Sequence, residues 1–431
     1  MQGGMPAVSV SRRFLRANTD NGDRPALSLI VQARGPGGGI RLQSTELPFE
    51  SSLADSGVVK IVVALDKFKG SLTAPRACEI VRNALHSVRP DVTVVVRPMA
   101  DGGDGTAEVA HLARGGWWRT REVVGPLSTM RVNASYLWLE RERMAVVEMA
   151  RSSGLVLLKP EQRDPLRTTT FGTGELIADS LKRGAQRVLV AAGGSATVDG
   201  GVGAAMALGW RFLDAQGNPV GPGGGELERI VRIVPPSNRA PVVIEVLHDV
   251  DNPLCGQHGA ARVFGPQKGA TAEMVERLDA GLRHLAELVK TQLGKDIADV
   301  PGAGAAGGLA FGALAFMDAR LIPGVEAAAE AIGLDAELAE ADWVITGEGR
   351  FDEQSLRGKV VSGIARLAAQ HGVNVAVLAG SVQVPQDVWR REGIQMAMSA
   401  MDTGMKLDEA MASAEDLLAS AARRLAARIL S

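Results

Sequence analysis

The stretch Gly193-Gly194-Ser195-Ala196-Thr197-Val198-Asp199-Gly200-Gly201-Val202-Gly203 decides how this chain is read. An apolar run, Val188-Leu189-Val190-Ala191-Ala192, leads into it and predicts a buried strand. The Ala- and Gly-rich residues 202–208 predict a helix start on the far side. Glycines let such a turn bend sharply and approach a ligand closely. Exposed N–H groups at a strand-to-helix turn attract anions such as phosphate. Ser195 and Thr197 add hydroxyl donors. Asp199 could hold Mg²⁺ or take a proton from a substrate alcohol; the plainer reading makes it a helix cap.

The same strand–turn–helix grammar recurs on both sides. Val58 to Asp66 is a buried strand pattern ending in a carboxylate, followed by Lys67-Phe68-Lys69-Gly70-Ser71 and a helix over 74–87 capped by Thr73. Residues 93–100 form another strand, ending in Asp101-Gly102-Gly103-Asp104-Gly105-Thr106 and a helix to about residue 114. This alternation predicts a parallel sheet with right-handed crossovers. Ligands bind such sheets at the carboxyl ends of the strands, where Asp66, Lys69, Asp101 and Asp104 fall. From Trp117 to Ala150 the pattern changes to strands joined by a charged turn, predicting antiparallel hairpins and a second domain. An amphipathic helix is predicted over 272–293. Residues 340–431 return to the first style, ending in a helix over 406–430. The first and last thirds therefore assemble into one α/β domain, 58–115 with 322–431, and the middle, 116–321, is inserted. Residues 1–57 lack steady periodicity and an apolar signal core, and read as a disordered extension or as residues upstream of the true start.

Composition narrows the function classes. The chain has 431 residues, which suggests two or three domains. A net charge of −2 supplies no basic field for a nucleic acid backbone. The two cysteines lack a CxxC spacing, so a structural zinc site is not expected, and a reducing compartment is. No run of about 18 apolar residues is present to span a membrane.

Several further loops carry chemistry. Asp66 beside Lys67 and Lys69 pairs a carboxylate with phosphate-binding cations. Asp101 to Thr106 offers hard oxygens around glycines, without the spacing of an EF-hand. Phe264 to Ala270 is a turn that delivers Lys268. Gly347-Glu348-Gly349-Arg350-Phe351-Asp352 places two acids and an arginine, suited to clamp a carboxylate, at a strand end. Gly302-Ala303-Gly304-Ala305-Ala306-Gly307 fits a dinucleotide pattern, but no strong strand leads into it, so close packing or a carboxylate-binding turn is the better reading. The usual P-loop and the protein-kinase signatures are missing. Among the histidines, His248, next to Asp249 and Asp251, is the one to watch.

Taken together, Ala64 to Leu72, Pro98 to Thr106, Gly193 to Gly203, Pro253 to Gly256, Phe264 to Ala270, Gly302 to Gly308 and Thr346 to Asp352 resemble the glycerate kinase family, the bacterial type that makes 2-phosphoglycerate. The resemblance runs from about Lys60 to the C-terminus. It implies a flavodoxin-like parallel-sheet domain with an inserted, restriction-endonuclease-like mixed α/β domain, and an active site in the cleft between them. It implies transfer of the ATP γ-phosphate to D-glycerate with Mg²⁺. Asp66, Lys69 and Asp199 are the catalytic candidates by that resemblance, with Asp199 as base. Asp101 and Asp199 are the metal candidates. Ser71, Asp101, Gly102, Gly103, Gly194, Ser195, Thr197, Lys268, Gly304, Glu348, Arg350 and Asp352 are the candidates for binding substrate and nucleotide. Where many relatives have Asn before the aspartate of the glycine loop, this chain has Val198; where many have Ser after the first strand's aspartate, it has Lys67. The expected setting is cytoplasmic, with a small-molecule substrate, no nucleic acid or membrane partner, and a homodimer left open. Two rivals stand beside the kinase: a sugar-acid sensor without turnover, and a nicotinamide-dependent oxidoreductase using Gly302 to Gly307.

Overall fold

The computed structural model describes residues 28–34, 40–46, 58–103, 105–237, 241–356, 359–402 and 404–431. Asp104, and most of the stretch read as a disordered extension, lie outside them. Within that stretch Ser28–Arg34 and Ile40–Glu46 pair as antiparallel strands, in a unit separate from 59–431.

The rest of the chain is built on two sheets. The first has five strands, all parallel, in the order Ile394–Ser399, Asn374–Ala379, Trp343–Gly347, Lys60–Leu65, Thr93–Val96. Strand Lys60–Leu65 reads as a continuous apolar run because both of its faces are covered. Ile61, Val63 and Leu65 share a core with Ala77, Val81 and Leu85 of helix Ala74–Val88 and with Leu418, Ala422 and Leu425 of helix Ala414–Ile429. Val62 and Ala64 point the other way, into a core with Val325, Val361 and Ile364. That alternation is the period of two that a strand imposes. Thr73 caps helix Ala74–Val88 by accepting the N–H of Arg76.

The second sheet has six strands, in the order Arg320–Pro323, Val243–His248, Arg187–Ala191, Met144–Glu148, Arg131–Leu139, Trp117–Val124. The first four run parallel and the last two complete antiparallel pairs, which accounts for the hairpin pattern of that part of the sequence. Helix Ala272–Leu293 covers the predicted span and buries Val275, Leu278, Leu282, Leu285 and Val289 at helical spacing. One expectation is corrected. The C-terminal helix is split into Leu407–Ala412 and Ala414–Ile429, because Ser413 leaves helical geometry at φ −111 and ψ 20. No helix among the described residues is long and apolar enough to cross a membrane.

The carboxyl edges of the two sheets face one another. The loop after Thr93–Val96 runs into the edge of the mixed sheet. A Cβ placed on Gly102 would stand 2.5 Å from Gly324 Cα, and one on Gly103 would stand 3.4 Å from Gly193 Cα. Gly102 also has φ +86, so a side chain is unwelcome there on two counts. Glycine at this position lets two backbones from different sheets meet.

Candidate active site

Four acids gather at that meeting line. Asp66 ends strand Lys60–Leu65; its backbone N–H donates to Gly347 O at 2.9 Å, and its Oδ1 accepts the N–H of Lys67 at 2.7 Å. Its carboxyl is buried and is pushed up to about 7, chiefly by lost hydration and then by the charge of Asp101; Lys67 opposes the shift. Asp101 follows Thr93–Val96. Its Oδ1 accepts the N–H of Gly103 and lies 3.8 Å from Lys67 Nζ. Glu348 follows Trp343–Gly347. Its carboxyl is raised by burial, with the charges of Asp352 and Asp101 adding to the shift and Lys359 opposing it. Its Oε1 is buried with no protein partner among the described residues. Asp249, after Val243–His248, is also raised, by lost hydration and the charge of Asp101, against Lys359 and His248. Asp101 is the common neighbour, so the cleft concentrates negative charge beside two lysines.

Lys69 is exposed, and its backbone N lies 3.4 Å from where a Cβ on Gly349 would stand, so the loops after the paired strands Lys60–Leu65 and Trp343–Gly347 adjoin. Ser71 is exposed and its hydroxyl donates to Phe68 O, tightening that loop. Arg350 is exposed. Asp352 accepts the N–H of Gln354 at its Oδ1. Gly194 is exposed and Ser195 half-buried at the lip of the glycine loop.

The interior of that loop differs from the expectation. Asp199 is fully buried. Its Oδ2 accepts hydrogen bonds from Thr169 Oγ1, Thr170 N, Thr170 Oγ1 and Gly203 N, and its Oδ1 accepts from Gly201 N. Burial pushes its carboxyl up and these donors pull it back. With no open surface and both oxygens engaged, Asp199 fits neither a base nor a metal ligand; it ties the loop together, close to the capping role. Thr197 is likewise fully buried, and its carbonyl accepts from Lys268 Nζ at 2.7 Å. Lys268 is 2% exposed and donates also to Ser195 Oγ at 2.8 Å, so it supports the loop from within and does not reach a ligand itself. Gly304 is buried against Pro253 O, 2.3 Å from where its Cβ would be. A Cβ on Gly307 would stand 1.9 Å from Thr197 O. Gly304 therefore leaves the set of ligand-binding candidates, and the Gly302 to Gly307 pattern serves packing under the loop instead of a dinucleotide.

A family model described as the glycerate kinase family matches residues 61–430. The chain belongs to the glycerate kinase family. It is 45% identical over 370 residues to a glycerate kinase of Halalkalibacterium halodurans, covering 85% of this chain and 97% of that one. It is 42% identical to a glycerate 2-kinase of Escherichia coli strain K12, covering 86% and 98%. A crystal structure assigned as a glycerate kinase 2 from Salmonella typhimurium LT2 superposes with a TM-score of 0.75 at 41% identity, over 86% of this chain and 98% of that one. The whole cleft lies inside the span matched to the glycerate kinase family; residues 1–57 precede it.

Sequence reasoning did not place Asp249, Lys359, Glu148 or Thr170 among the site candidates. Asp249 had the same signal as Asp66, an acid at the end of an apolar strand. Thr168, Thr169 and Thr170 form a run of small hydroxyls before a helix, and all three are fully buried. Nothing in the sequence links Thr170 to an aspartate 29 residues away.

Proposed function

We propose that this protein transfers the γ-phosphate of ATP to a hydroxyl of D-glycerate, with carbon 2 favoured, giving phosphoglycerate and ADP. The observation that carries this reading is the convergence of Asp66, Asp101 and Glu348 with Lys67 at the facing carboxyl edges of two sheets, in a member of this family. Phosphoryl transfer asks for positioning and charge neutralisation more than for covalent chemistry. Lys67, Lys69 and Lys359 supply positive charge, and the lip residues Gly194 and Ser195 supply hydrogen-bond donors.

Asp66 takes the proton from the attacking hydroxyl. It stands at a strand end, buried among the converging loops, and its carboxyl titrates near neutrality, where a general base works well. Asp101 and Glu348 would hold Mg²⁺. Their hard oxygens suit it, Glu348 Oε1 has no protein partner among the described residues, and mutual repulsion marks a site short of positive charge. Among the described residues no three-ligand metal cluster is preassembled. That agrees with a cation that takes one or two carboxylates and completes its shell from water and substrate phosphates. When bound, Mg²⁺ would neutralise charge on the phosphates.

The test is ADP release from ATP and D-glycerate by the full chain, with phosphorus NMR of the product. Saturable D-glycerate binding without ADP release would leave the sensor reading standing instead.

A further inference from the structure

Lys268 is a buried lysine that the proposed reaction does not touch. It comes from the short turn Pro266–Lys268, which Gly269 closes at φ +94; a Cβ on Gly269 would lie 2.5 Å from Arg163 O. The turn drives the lysine under the glycine loop, where its Nζ donates to Thr197 O and Ser195 Oγ. Burial pushes the Lys268 ammonium down to about 7, and the charge of Asp199, which draws in five N–H and O–H donors, opposes that shift.

The consequence falls on Ser195. A hydroxyl has one hydrogen and two lone pairs. One lone pair is taken by Lys268 from the closed side. Among the described residues the hydroxyl hydrogen has no protein acceptor, and the loop's backbone is otherwise engaged: Leu155 N–H donates to Gly194 O, and Ala196 N–H donates to Ser153 O. Ser195 is half-buried and Gly194 exposed, so the side left for that hydrogen is the open one, where Gly193 lies against Gly103 of the Asp101 loop. A hydroxyl that accepts from an N–H behind it is polarised into a stronger donor.

We propose that Lys268 is a positioning residue that commits the Ser195 hydroxyl to donate into the cleft, so that this point of the loop selects an anionic oxygen of the substrates over a neutral hydroxyl. The inference rests on reading the cleft as a phosphotransferase site. The anionic oxygen belongs either to the carboxylate of the sugar acid or to a phosphate of the nucleotide, and a charge-assisted bond suits both.

The experiment uses the full chain as wild type, Ser195→Ala, Ser195→Thr, Lys268→Met and the Ser195→Ala/Lys268→Met double variant. KM and kcat are measured for D-glycerate and for ATP, and Kd for each alone by calorimetry. Ser195→Ala is expected to raise KM and Kd for one of the two about tenfold, with kcat changed less than about threefold. Ser195→Thr restores the wild-type value. Lys268→Met raises the same constant, and adding it to Ser195→Ala raises it no further, because the lysine acts through the serine. A rise confined to D-glycerate assigns the carboxylate; a rise confined to ATP assigns the phosphate. Unchanged constants in Ser195→Ala overturn the inference, and so does a further rise in the double variant. Should Lys268→Met fail to fold by circular dichroism, the two serine variants decide. Should the wild type bind without releasing ADP, the kinase reading fails while the Kd series still judges Ser195. Failure to bind either anion overturns the inference.

Discussion

Glu148 Oε1 accepts the backbone N–H of Gly105 at 2.9 Å, joining the carboxyl edge of the mixed sheet to the loop that carries Asp101. The same oxygen accepts the N–H of Ala107 at 3.0 Å, so one carboxylate serves two donors at the start of helix Thr106–Arg114. Its Oε2 accepts from Arg151 Nε, and Arg151 also pairs with Glu108 on that helix. Glu148 is 1% exposed, so no water can replace these bonds. A buried carboxylate thus ties the mixed sheet to the loop that carries Asp101.

Removing that carboxylate leaves the N–H groups of Gly105 and Ala107 without their acceptor and leaves Arg151 paired with Glu108 alone. Glu148→Ala is expected to lose about 3 kcal/mol of stability in urea unfolding. Glu148→Gln keeps an acceptor for Gly105 and Ala107 and is expected to lose less. Equal losses in the two variants would show that the Arg151 pair, and not the tether to the loop, dominates.

Asp66 gives a pH signature with a definite sign. Its folded carboxyl titrates at about 7, above the ordinary value of about 4 in the unfolded chain. The native state therefore holds this proton more tightly, and the associated stability is present below about pH 4 and is lost as pH rises through about 7. Asp66→Asn, which has no charge to bury, is expected to gain stability relative to wild type between pH 4 and pH 8 in urea titrations. A stability difference that stays flat over that range would remove the shift. In the wild type, kcat/KM is expected to fall as pH drops and the base protonates.

Asp199 behaves oppositely. Asp199→Ala strands the donors from Thr169, Thr170, Gly201 and Gly203 in a fully buried site and takes away the charge beside Lys268. A loss of about 3 kcal/mol or more is expected, with activity falling in step with the folded fraction. A stably folded, inactive Asp199→Asn would return this residue to the catalytic set.

Lys69→Ala tests the cleft without touching the core. The side chain is exposed, so stability is expected to change by less than about 0.5 kcal/mol. KM for ATP or D-glycerate is expected to rise several-fold. An unchanged KM for both would take Lys69 out of the binding surface.

Local sequence determined a good deal. The apolar run before Asp66, the cap at Thr73, the five-point apolar stripe of 272–293 and the charged turn of the hairpin each specify an element through short-range sterics and burial. The break at Ser413 escaped because one residue's departure from helical geometry leaves the surrounding helical pattern intact. What only the tertiary structure decided is which buried acids meet hydrogen-bond donors and which meet another carboxylate. Asp66 and Asp199 look alike in sequence, each an aspartate where an apolar strand gives way to a helix. Asp199 receives the hydroxyls and N–H groups of a threonine run from elsewhere in the chain and is sealed inside. Asp66 finds another carboxylate, Asp101, after the neighbouring strand, and Lys67 offsets that charge only in part. A carboxylate's hydration and partners are set by what folding brings beside it, and neighbours in the chain do not encode that.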